Sequence, residues 1–154
     1  MDVNFSELLS EDCIELDLKG KKKREIIEEM VGLFVKSGKI RNGKDVVEEV
    51  MEREKEISTG IGKGVAIPHR LIRGIQTSLI GFGRKEIPIK FDAVDGQPVD
   101  VFFMLLGPDG STNTHLRLLS KLARYVHSDD FLQSLRTVKT PREIIELFQR
   151  EEKL

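Results

Sequence analysis

Apolar residues recur along this chain with two different periods, and stretches of the two kinds interleave. Phe5, Leu8 and Leu9 suit a short helical turn near the start. Cys13-Ile-Glu-Leu-Asp-Leu18 then alternates apolar with acidic residues and predicts a half-buried strand. From Lys21 to Ser37 the spacing becomes helical. Ile26, Ile27, Met30, Leu33 and Phe34 share one face, Lys and Glu take the other, and Gly38 supplies a C-cap. A second helix, from Lys44 to about Lys55, turns Val46, Val47, Val50 and Met51 inward and sets Arg53 at the margin of that face.

The stretch Ser58-Thr-Gly-Ile-Gly-Lys-Gly-Val-Ala-Ile-Pro-His69 follows. Its three glycines permit a tight turn. Val65 to Ile67 reads as a short buried strand that Pro68 ends or sets at an edge. His69 is thus expected where a strand leaves the sheet, with 70–74 as a connector. Thr77 to Phe82 is a predicted strand, Gly83-Arg84-Lys85 a turn, and Ile87 to Phe91 an edge strand. Val99 to Leu106, interrupted only by Asp100, is the central strand. Ser111, Thr112 and Asn113 are N-cap candidates for a helix carrying Leu116, Leu119, Leu122, Ala123 and Val126. Ser128 opens a short helix with Phe131, Leu132 and Leu135. Thr140-Pro-Arg-Glu143 forms a capping box before a last helix with Ile144, Ile145, Leu147 and Phe148. This alternation of elements predicts an α/β layered fold, and the length of 154 residues predicts one domain over 1–154.

Composition narrows the function. The net charge of −1 provides no global basic field for nucleic acid. No apolar run approaches the ~20 residues of a membrane span, and the N-terminus has neither the basic nor the apolar region of a secretory signal. A cytoplasmic address is therefore expected. The single cysteine, Cys13, excludes an internal disulfide and a CxxC pair, and it reads as a small buried hydrophobe.

The glycine cluster does not bind nucleotide by any familiar spacing. A Walker A loop would need Gly at 65, where Val stands, and a Rossmann fingerprint would need a small residue there; both motifs open a helix, whereas this one precedes a strand. His127, at a helix end, is a surface histidine. His115 sits at a helix start, where it is either a structural histidine or a neutral imidazole able to donate to a phosphoryl oxygen. No spacing of histidines and acids supports a metal site. For His69 a structural and a presented role are both open from the residues alone, although loop, strand end and proline converge on it.

These residues carry a resemblance. Arg53-Glu54, the run from Ser58 to His69, and His115-Leu-Arg-Leu-Leu-Ser-Lys-Leu-Ala123 are similar to the enzyme IIA domain of the bacterial phosphoenolpyruvate phosphotransferase system, of the fructose–mannitol type. The intervals of sixteen residues from Arg53 to His69 and forty-six from His69 to His115 fit as well. The resemblance covers essentially the whole chain. It implies a mixed sheet with helices on both faces, an α/β/α sandwich; the runner-up is an α+β layer with helices on one face. It also implies a phosphohistidine carrier needing no cofactor and no metal. His69 would take the phosphoryl group from the histidine-containing phosphocarrier protein, His115 would hold the imidazole or donate to the phosphoryl oxygens, and Arg53 would offset charge. Backbone amides of the glycine-rich stretch are expected to add donors. The onward partner would be an enzyme IIB domain or a regulated protein, with phosphorylation as a possible binding switch. The sequence holds no IIB cysteine, membrane segment or phosphocarrier domain, so a stand-alone subunit is expected. It resembles the nitrogen-related branch more than the sugar branch. Arg70 departs from the family pattern, which has a small residue after the active histidine.

Overall fold

Val99–Pro108 (β6) is buried along almost its whole length, and its neighbours are arranged around it in the computed structural model, which describes residues 4–56 and 60–153. The other strands are Ile14–Glu15 (β1), Gly60–Gly62 (β2), Val65–Ala66 (β3), His69–Ile72 (β4) and Leu79–Ile89 (β5). They form one six-stranded sheet in the order β1-β5-β6-β3-β2, with β4 also on β6. β5 runs antiparallel to β6, whereas β3 and β4 run parallel to it, so the sheet is mixed.

Alternation along β6 shows why helices cover both faces. Val101, Phe103 and Leu105 join one apolar cluster, and Phe102, Met104 and Leu106 join the other. Successive strand residues face opposite ways, so these are two separate cores. The first is closed by Phe5–Leu8 (α1), Thr112–His127 (α4), Asp129–Thr137 (α5) and Pro141–Glu152 (α6). The second is closed by Lys23–Lys36 (α2) and Gly43–Glu56 (α3). This is the two-faced sandwich, not the one-sided alternative. Among the described residues no helix is long and apolar enough to cross a membrane.

Four local expectations are corrected. The alternating stretch after Cys13 pairs in register for only two residues: a 3₁₀ turn at Glu11–Cys13 precedes it, and beyond Glu15 it keeps to β5 by the Leu18 amide on the Arg84 carbonyl. The turn expected at residues 83–85 is absent: β5 runs unbroken, with a register shift between Arg84 and Ile89. Gly83 serves packing instead, since a Cβ there would lie 2.5 Å from Leu18 Cδ1 and 2.7 Å from Met30 Sδ. The connector after His69 is strand β4. It keeps the same register on β6 as β3, Val65 opposite Val101 and His69 opposite Leu105. Pro68 has no N–H for the ladder and splits one strand in two. Finally, α4 turns His115, Leu118, Leu122 and Val126 inward, while Leu116 is 58% exposed and Ala123 lies outside. A histidine thus occupies a core position. Ser58 and Thr59 of the glycine-rich run lie outside the described residues.

The ends of the chain meet. The Glu152 carboxylate, its side chain 4% exposed, accepts hydrogen bonds from the amides of Phe5 and Ser6 and from the Ser6 hydroxyl, beside Lys121. It caps the first turn of α1 from the last turn of α6. Glu152→Ala leaves these part-buried donors unmet and removes a carboxylate from beside Lys121, so a loss of about 2–4 kcal/mol is expected. Urea denaturation of the two proteins measures it; equal midpoints would show the contact contributes nothing.

Candidate functional site

His69 is the first residue of β4, on the face it shares with Leu105, toward α4. Its side chain is held from within its own turn. Nδ1 lies 2.7 Å from the Ile67 carbonyl oxygen, which can only accept, so Nδ1 carries the proton. The lone pair is then on Nε2. The break at Pro68 frees Ile67 for this contact.

His115 faces it from the first turn of α4, with ring centroids 5.5 Å apart and planes inclined at 49°. It is 6% exposed, and neither ring nitrogen has a hydrogen-bond partner among the described residues. Buried polar atoms are ordinarily paired, so these two nitrogens set His115 apart from the other buried side chains described. Gly107 makes the room. A Cβ there would lie 2.9 Å from His115 Nδ1 and 2.9 Å from Leu71 Cδ2.

Arg53, in the last turn of α3, acts electrostatically on both imidazoles. Arg53, His69 and His115, sixteen and forty-six residues apart in sequence, are thus brought together. Glu54 joins them. It is buried, pairs with Lys23 at 3.0 Å, and its charge reaches His69. Gly107 and the role of Glu54 escape sequence reasoning: a glycine at a strand end reads as a terminator, and nothing in the spacing shows that a glutamate on a charged helix is buried.

Within the glycine-rich run, the turn at Lys63 and Gly64 serves the register of the sheet. β3 leads away from its turn, so Gly64 stands five residues, about 15 Å of strand, from His69. The amide of Lys63 is taken by Asp95, and Arg136 Nη2 donates to the Lys63 carbonyl while bridging to Asp100. Lys63 and Gly64 both have positive φ, 59° and 81°. This turn is a tether that sets the register of β3 on β6, and its amides are remote from the imidazoles.

Burial is the largest influence on both rings. It pushes the His69 pKa below 6.5, with Arg53 acting in the same sense and the Ile67 bond and Glu54 opposing. It pushes His115 down to about 4, with the His69 and Arg53 charges adding to the effect. Both rings are neutral at pH 7. As pH falls from 6.5 toward 4 the unfolded chain gains the His115 proton and the native chain does not, so stability declines across that window and the contribution levels off below it. Unfolding midpoints measured from neutral pH downward should fall more steeply for the wild type than for His115→Gln. Parallel profiles would show that His115 titrates normally.

The family described as "Phosphoenolpyruvate-dependent sugar phosphotransferase system, EIIA 2" matches residues 7–151. The chain is 32% identical over 151 residues to the fructose-specific EIIABC component of Bacillus subtilis, covering 98% of this chain and 24% of that protein, and so spans about a quarter of that relative. It is 34% identical over 146 residues to a nitrogen regulatory protein of Escherichia coli, covering 94% of this chain and 89% of that one. Among solved structures, the nitrogen regulatory protein IIA-Ntr of Neisseria meningitidis superposes with a TM-score of 0.86 at 37% identity, over 93% of this chain and 97% of that chain.

Proposed function

This chain belongs to the EIIA type 2 family of the phosphoenolpyruvate-dependent sugar phosphotransferase system, and from that premise we propose that it carries a phosphoryl group on Nε2 of His69. The observation that carries this reading is the Nδ1 contact to Ile67, which leaves a fixed lone pair on Nε2. The donor is a phosphohistidine on the histidine-containing phosphocarrier protein. The Nε2 lone pair forms the new N–P bond while the donor's N–P bond breaks, and its electron pair returns to the donor imidazole. Nδ1 keeps its proton throughout, so no base is required. The moving group spreads charge over three oxygens, and stabilising that charge is the main task of the site. Arg53 supplies a full positive charge. His115, neutral and unpaired, has one N–H to give.

The test is to phosphorylate the protein with phosphoenolpyruvate, enzyme I and the phosphocarrier and to identify the phosphohistidine isomer by NMR. Phosphate on Nε2 of His69 is expected; phosphate on Nδ1, or on another residue, overturns the assignment.

The onward step is regulatory in this reading. Likeness to proteins named for nitrogen regulation supports it, and likeness to a fructose component supports delivery to a IIB cysteine instead. Mixing the phosphorylated protein with IIB domains from the same cell separates them: rapid loss of phosphate to a IIB would make this a transport subunit.

A further inference from the structure

Arg70 follows the proposed nucleophile directly, yet it belongs to the other side of the sheet. His69 stands opposite Leu105, in the core under α4, and Arg70 stands opposite Leu106, in the core under α2 and α3. β4 pairs only with β6 among the described strands, so its far side is a sheet edge at the rim of the site.

Four arginines among the described residues are half-buried: Arg53, Arg70, Arg84 and Arg136. Three are engaged. Arg84 donates to the Leu16 and Leu135 carbonyls, Arg136 chelates Asp100, and Arg53 has partners as well. Arg70 alone has no hydrogen bond or ion pair with any described residue. Its charge is also not among those acting on His69 or His115, although Arg53 acts on both. A half-buried arginine with the five donors of its guanidinium unspent, on the strand face opposite His69, is suited to an anion on another molecule. Arg73, 92% exposed and 3.8 Å from Asp109, extends the same rim.

We infer that Arg70 is a docking residue that receives a side-chain carboxylate of the protein exchanging phosphoryl groups with His69. The alternation of β4 sets Arg70 on the opposite face of the strand from His69, which faces His115, and leaves Arg70 to face the partner. A carboxylate fits because a guanidinium takes it through two parallel N–H bonds. A protein partner fits because the rim flanks the nucleophile and any donor or acceptor must cover it. Contacts of this kind act on encounter and salt dependence more than on the chemical step.

This inference rests on His69 as the acceptor, and the experiment keeps the two apart. The probes are the phosphocarrier protein and a IIB domain of the same organism, with wild type, Arg70→Gln, Arg70→Lys and Arg70→Glu. Binding of the unphosphorylated probes is followed by NMR titration, and phosphoryl transfer by rapid quench over a range of salt. For at least one probe, Arg70→Gln should weaken binding and kcat/KM about tenfold, with kcat at saturation unchanged and a shallower salt dependence, and Arg70→Glu should lose more. Arg70→Lys should recover part, since it keeps the charge but not the fork. Unchanged binding of both probes by Arg70→Glu overturns the inference, as does a fall in kcat at saturation, which would place Arg70 on the phosphoryl group. Absence of phosphate from wild-type His69 would refute the carrier reading alone, because the binding arm does not depend on it.

Discussion

His69→Ala takes up no phosphate from phosphoenolpyruvate and the two general carrier proteins, while its unfolding midpoint stays near that of the wild type. The loss is complete because no second group can replace it. The nitrogens of His115 are buried with the ring 6% exposed, so an incoming phosphohistidine on another protein cannot be attacked there. His127 lies at the exposed end of α4, one helix length away. Removing a nucleophile that defines a covalent intermediate costs on the order of 10³-fold or more in rate. The fold tolerates the change because His69 is only half-buried and its one hydrogen bond is local, to a carbonyl two residues away. Acid-labile label and thermal unfolding, measured on the same preparation, check both halves. Label persisting at another residue would remove His69 from the mechanism.

The second large effect is at His115, where function and stability part company. His115→Ala removes a donor from the developing phosphoryl charge, and a loss of about 10²–10³-fold in transfer rate is expected. Its effect on stability is small. The deleted ring contributes packing, but it also carries two buried nitrogens without partners, and relieving their desolvation offsets much of the cavity. Gly107→Ala reaches the same ring from the backbone. Its methyl would stand 2.9 Å from both His115 Nδ1 and Leu71 Cδ2, so the imidazole must shift. This variant should lose transfer comparably and also lose about 1–3 kcal/mol through overpacking. Single-turnover transfer beside denaturant unfolding distinguishes the two. If both variants transfer at the wild-type rate, His115 is a core residue only.

The sequence shows the site more clearly than the strands around it. His69 stands out because it closes a contiguous glycine-rich run, Arg53 and His115 only by their intervals from it, and the central strand is legible because Val99–Leu106 is nearly all apolar. Glycine misleads at position 83 but not at position 64. It signals either a turn or a lack of space, and composition does not say which. At Gly83 the answer is space, filled by Leu18 and Met30. At Gly64 it is a turn, whose far side is filled by Arg136 and Asp100. The phase of α4 is misread because Leu116 and Ala123 look like core, while the inward position belongs to a polar residue. A polar residue at an inward position breaks the hydrophobic pattern, and such conflicts cluster at functional sites.

The contact between Glu152 and the first turn of α1 has a consequence for how the protein comes into being. It joins residues 147 apart, so a growing polypeptide reaches its final packing on this side of the sheet only after residue 152 has been synthesised and released. Until α6 leaves the ribosome, Phe5 lacks its neighbour Phe148 and the α1 turn lacks its cap. The layer of α2 and α3 suffers no such delay on its helical side, because those two helices are consecutive in the chain. Vectorial synthesis therefore favours a nascent form with one face of the sheet still waiting for cover, and chaperone occupancy during translation should concentrate on that face.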